Sequence, residues 1–205
     1  MKRLMVTTGA LAFLASAAFL HSSGWLYFGL GVMHDKGRYV VQDHKKAAKY
    51  YSRGAEQGRA QAQYNLGVSY ERGDGVPQDY SEAVRMYRSA ANKGFAIAQH
   101  NLAILYDNGR GVSQNYEEAV RLYRLAAEQG FAQSQRNLGA MYGKGQGITA
   151  DVIRAYMWSS ISANGGNTYA AQNRDNLATR MTSEQLENAQ KLVTECGKRG
   201  FRGCV

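Results

Sequence analysis

The chain has 205 residues, with one proline against 23 glycines. That length carries one core or one elongated array and excludes a pair of independent enzyme domains, and the glycine excess points to helices punctuated by glycine turns. Twenty-five Lys and Arg against 16 Asp and Glu give a formal net charge of +9, so an anionic partner is attracted even in the absence of a specific contact.

The first predicted element is an address rather than a piece of fold. Lys2 and Arg3 precede an apolar run from Leu4 to Leu20, followed by small residues, and Ala15-Ser16-Ala17 offers a cleavage site. The run sits at the short limit for spanning a bilayer, and apolar residues resume at Trp25, so residues 1–24 read either as a cleaved secretory signal or as an uncleaved anchor. Export places the protein in the periplasm or outside the cell. It removes nucleic acid as a partner despite the basic balance; an uncleaved segment would tether the chain to the inner membrane.

From Leu26 the chain repeats. "LYFGLGVMHDKGRYVVQDHKKAAKYYSRGAEQGR", "AQYNLGVSYERGDGVPQDYSEAVRMYRSAANKGF", "AQHNLAILYDNGRGVSQNYEEAVRLYRLAAEQGF" and "SQRNLGAMYGKGQGITADVIRAYMWSSISANGGN" align with Leu30, Leu66, Leu102 and Leu138 each 36 residues apart. Within each unit the spacing predicts a helical hairpin. Ala62, Leu66 and Tyr70 make one apolar stripe, with Gly67 beside it where another helix can approach. A glycine turn follows, and Asp79 with Glu82, or Asn115 with Glu118, has capping-box spacing for a second helix. That helix carries Ala83, Met86, Tyr87, Ala90 and Ala91 until Gly94 stops it, and the small residues Ala83, Ala119 and Ala155 imply close contact between paired helices. The triple-glycine stretch "YGKGQGI" at 142–148 is thus the fourth copy of "YERGDGV" and "YDNGRGV", a turn rather than a phosphate cradle. Unit one departs at His34, where later units have Tyr70, Tyr106 and Tyr142, and at Tyr39, where they have glycine.

Residues 169–205 break the period. Thr182 with Gln185 is placed to cap a last helix through Ala189 and Val193. Cys196 and Cys204 are the only cysteines, and in an oxidising compartment they most simply pair, tying the tail to that helix. No C-x-x-C is present for redox catalysis.

The Leu-Gly-x-x-Tyr run, the Gly-x-Gly-Val turn, the Asp-Tyr-x-x-Ala start and the Tyr-x-x-Ala-Ala-x-x-Gly exit together resemble Sel1-like repeats, relatives of the tetratricopeptide repeats, whose period is shorter, about 34 residues. The resemblance covers roughly residues 26–169 and implies an all-α fold: an α/α superhelical solenoid of four 36-residue repeats over 25–168 with C-terminal capping helices over 169–205. It implies a non-catalytic scaffold for protein partners.

The residues themselves offer no cofactor or metal site and no catalytic set. H-E-x-x-H, G-x-S-x-G and S-x-x-K are absent; His21, His34, His44 and His100 are scattered; Glu117 and Glu118 sit where a helix start needs them. An envelope hydrolase, or a binder of cell-wall or lipopolysaccharide material, stays as the rival reading. If first helices line a concave face, as the resemblance implies, two positions flank each aligned leucine. Phe28, Tyr64, His100 and Arg136 lie two residues before it, and Lys36, Arg72, Asn108 and Lys144 six after. An aromatic end, a titratable histidine and cations along the face suit an extended peptide with acidic and apolar side chains. Their variation from unit to unit follows equally from mere exposure.

Overall fold

The computed structural model describes residues 24–204, so the expected signal or anchor, with Lys2, Arg3, Ala15-Ser16-Ala17 and His21, lies outside the described residues. Among the described residues all regular structure is helical. In chain order the helices are α1 (Gly24–Lys36), α2 (His44–Glu56), α3 (Ala60–Arg72), α4 (Tyr80–Ala91), α5 (Ala96–Asn108), α6 (Tyr116–Ala127), α7 (Ala132–Lys144), α8 (Val152–Asn164), α9 (Thr168–Ala178) and α10 (Ser183–Lys198). They gather into two compact units that divide at Ala90 and Ala91.

Each hairpin is closed by the same local chemistry. The N-cap residues Asp43, Asp79, Asn115 and Asp151 accept backbone N–H groups of the first turn of α2, α4, α6 and α8. Their own N–H groups donate back to His34, Tyr70, Tyr106 and Tyr142, fastening the loop to the helix it has just left. Gln42, Gln78 and Gln114 add a second fastening, donating from Nε2 to the carbonyls of Asp35, Glu71 and Asp107 at 2.8, 2.8 and 2.7 Å. The expected capping boxes form on the N-cap side; the carboxylates of Glu82 and Glu118 receive Arg85 and Arg121 one turn further on.

In the first unit Ala47, Tyr51, Leu66 and Met86 form the core, with Phe28, Val32, Ala55 and Tyr70 packed against it. Gly67 lets α4 approach α3, since a Cβ there would meet the Tyr87 ring at 2.7 Å. In the second unit Leu102, Leu105, Leu122, Tyr123, Leu138, Met141 and Trp158 are buried, each such side chain contributing roughly 1.5–3 kcal/mol. The aligned leucines are not equivalent. Leu66, Leu102 and Leu138 are buried, but Leu30 is half-buried. Unit one also puts Tyr39, 96 % exposed, at φ 64° where later repeats use glycine.

The C-terminal segment keeps more of the repeat than its sequence suggests. α9, capped by Asn167, packs on both α8 and α7, the position a first helix of a further repeat would hold. α10 begins with a reciprocal capping box between Thr182 and Gln185 and packs on α8, with Ala189 buried. Cys196 and Cys204 are placed as a disulfide pair, both buried, with Cα atoms 5.5 Å apart. Closing this short loop contributes roughly 2 to 3 kcal/mol in the chain-entropy model. Neither thiol should react with an alkylating reagent under native, non-reducing conditions; labelling of both would show that the pair is reduced in the folded chain.

Candidate partner-binding site

Each unit holds a hollow whose lining is the copy, two repeats apart, of a hollow in the other. The first has a volume of about 330 Å³ and is lined by Lys36, Tyr64 and Arg72 above a floor of Asp35, Tyr51 and Asn65. The second, of about 630 Å³, is lined by Asn108, Arg136 and Lys144 above Asp107, Tyr123 and Asn137. Six of the eight residues singled out in the sequence therefore come together in two groups.

The remaining two are placed differently. Phe28 packs into the core of the first unit against Tyr51, with ring centroids 6.4 Å apart. His100 is 8 % exposed instead of standing open on the face. Its Nδ1 meets Ser134 Oγ at 2.8 Å, and its ring packs on Tyr123 and Phe131 at 5.7 and 4.9 Å. Burial, with the Arg136 charge nearby, pushes its pKa down to about 4, so it is neutral at physiological pH and does not serve as the expected titratable contact. The reason is local: Phe131 and Ser134 surround a position that is open at Arg136.

The floor is a group of three residues, an acid, a tyrosine and an asparagine. Asn137 hydrogen-bonds the Tyr123 hydroxyl, which in turn donates to Asp107 at 3.3 Å. In the first unit Asn65 hydrogen-bonds Tyr51, while burial, with Asp35 nearby, raises that phenol to about 12. On the second repeat Tyr87 donates to Glu71 at 2.5 Å. The signal was present: Asn65, Asn101 and Asn137 recur 36 residues apart beside the leucines, as do Tyr51, Tyr87 and Tyr123. The structure adds that these repeating polar groups are tied to one another under a surface whose other residues change.

Those changes set the charge of each hollow. Lys36 is held by Asp35 at 2.9 Å, and Asp74 also lines the first hollow beside Arg72. In the second, the positions of Lys36 and Asp74 are taken by Asn108 and Gln146, and Tyr64 is replaced by Arg136, whose guanidinium lies 5.8 Å from the Tyr169 ring centroid. The first hollow is thus balanced and the second carries a surplus of cation.

The Sel1 repeat family model matches residues 27–58, 60–95, 96–131 and 132–167. The chain belongs to the Sel1 repeat family. Among solved structures it is similar to c5321, a protective antigen of uropathogenic Escherichia coli with an SLR fold, at 39 % identity and a TM-score of 0.72 over 78 % of this chain and 34 % of that one. It is also similar to a Sel1 repeat protein from Oxalobacter formigenes, at 32 % identity and a TM-score of 0.69 over 86 % of this chain and 65 % of that one. The chain thus spans about a third of the first protein's length and just under two thirds of the second's. No curated protein sequence matches it. Sel1 repeats generally mediate protein–protein interaction and are generally non-catalytic scaffolds, and the all-α helical-repeat fold found here is theirs.

Proposed function

We propose that this Sel1 repeat protein is a non-catalytic scaffold of the cell envelope that holds a partner protein through the two hollows. One observation carries the reading: the linings share the Asp-Tyr-Asn floor, while Lys36, Tyr64 and Arg72 become Asn108, Arg136 and Lys144. A repeated floor with a changing rim is what a common architecture needs when each copy meets a different part of one ligand. Arg136 and Lys144 favour an acidic side chain in the second hollow; Tyr64, half-buried against Tyr87 with centroids 5.7 Å apart, offers an apolar contact in the first. The acids of the two floors are already engaged, Asp35 by Lys36 and His44 and Asp107 by the Tyr123 hydroxyl, which suits a structural role better than proton transfer.

The envelope location rests on the N-terminal Lys2, Arg3 and the run Leu4–Leu20, and on a cysteine pair suited to an oxidising compartment. The mass of the mature N-terminus separates a cleaved signal from an inner-membrane tether. For the binding face, Tyr64, Arg72 and Arg136 are replaced together by alanine and crosslinked capture from envelope extract is compared with the wild type. Capture should fall at least about tenfold, the effect of losing one well-formed contact of about 1.4 kcal/mol, with helicity retained. Equal capture by the variant would move the partner to another face.

A further inference from the structure

We infer that a third hollow, of about 600 Å³ and set by α7, α8 and α9, binds an oxyanion group, phosphate or carboxylate, carried on a small molecule. The hollow exists because the fourth copy of the floor is incomplete. Asp35, Glu71 and Asp107 recur at one position, and the next copy is Gly143; Tyr51, Tyr87 and Tyr123 recur at another, and the next copy is Ser159. Asn65, Asn101 and Asn137 continue as Asn173 on α9. The amide is kept, while the carboxylate and the aromatic ring are both gone.

Two consequences follow, and both point to the same ligand. Loss of the ring leaves Ser159 with a hydroxyl that is buried, 1 % exposed as a residue, and engaged by no hydrogen-bond partner, in the lining of the hollow. An unpartnered buried hydroxyl is costly, which a ligand acceptor would relieve. Loss of the carboxylate leaves the hollow with no acidic residue in its lining, while Lys144 and Arg180 contribute two cations that make no ion pair among the described residues. A fork of guanidinium donors, an ammonium, a hydroxyl and the Asn173 amide is a donor set for oxygen anions. The volume exceeds that of a bare phosphate, hence an oxyanion borne by a larger group.

This site is tested apart from partner capture through Ser159 and Arg180, which line this hollow and neither of the other two, whereas Ala140, Lys144 and Asn173 also line the second. The test is thermal unfolding of the full chain titrated with sodium phosphate and, separately, with sodium succinate, against sodium chloride at matched ionic strength. A saturable rise in Tm with one or both probes is expected, and which probe gives it identifies the oxyanion. Arg180→Gln should weaken the response at least about tenfold and Ser159→Ala several-fold, both leaving partner capture unchanged. The double variant Gly143→Asp with Ser159→Tyr restores the earlier repeats' residues and should abolish the response; if it does not fold, the two single variants decide. No saturable response to either probe, or an undiminished response in Arg180→Gln, overturns the assignment.

Discussion

Gly147→Ala should destabilise the second unit by about 3 kcal/mol or more, whereas Tyr39→Gly, the reverse exchange at the corresponding position of the first repeat, should be near neutral. Gly147 lies at φ 67°, and a Cβ there would press on the Tyr116 carbonyl and come within 2.6 Å of the Glu117 nitrogen, backbone of the first turn of α6 that cannot step aside. Gly75 meets the same obstacle in the first turn of α2, at 2.7 Å from the Lys45 nitrogen. In both places the turn is seated against the second helix of the repeat before it, and only glycine satisfies both the left-handed backbone and the close seat. Tyr39 has the backbone demand but not the steric one, because its side chain stands in solvent. Removing the tyrosine relieves about 1 kcal/mol of left-handed strain and adds about as much unfolded-state entropy. Denaturant unfolding followed by circular dichroism compares the two variants, and an equal loss in both would refute the seating argument.

Acidification should unfold the protein partly through His100. Its folded pKa of about 4 lies below the usual histidine value near 6.5, so between those values the unfolded chain binds a proton that the folded chain refuses. Stability is therefore fully present above pH 6.5 and is lost as pH falls towards 4, by on the order of 3 kcal/mol in total. Carboxylates such as Asp151, where burial opposes ionisation but the Arg154 N–H and guanidinium together hold the carboxyl below its usual range, add losses at the acid end. His100→Phe separates the contributions, since phenylalanine occupies the aligned position at Phe28 and cannot titrate. The variant should lose less stability than the wild type between pH 6.5 and 4. Identical pH profiles would mean that His100 titrates in the fold as it does in the unfolded chain, and would overturn the assignment.

Much of this protein was set by sequence alone. The 36-residue register of leucines, glycines and N-cap residues specified helical hairpins, their turns and their buried stripes, because those demands are local: a helix period, a capping oxygen, a left-handed φ. The reciprocal capping box at Thr182 and the pairing of Cys196 with Cys204 were legible for the same reason. What needed tertiary structure was the environment that one repeat provides for the next. Aligned residues share a place in their own hairpin but not their neighbours, so Leu30 is half-buried where Leu138 is buried, and His100 is enclosed by Phe131 and Ser134 where Arg136 lies over Tyr169. The Asp-Tyr-Asn floor, too, joins residues of adjacent repeats, as Tyr123 with Asp107 and Asn137 shows. Sequence recurrence marks such residues as constant, and only packing shows that they meet.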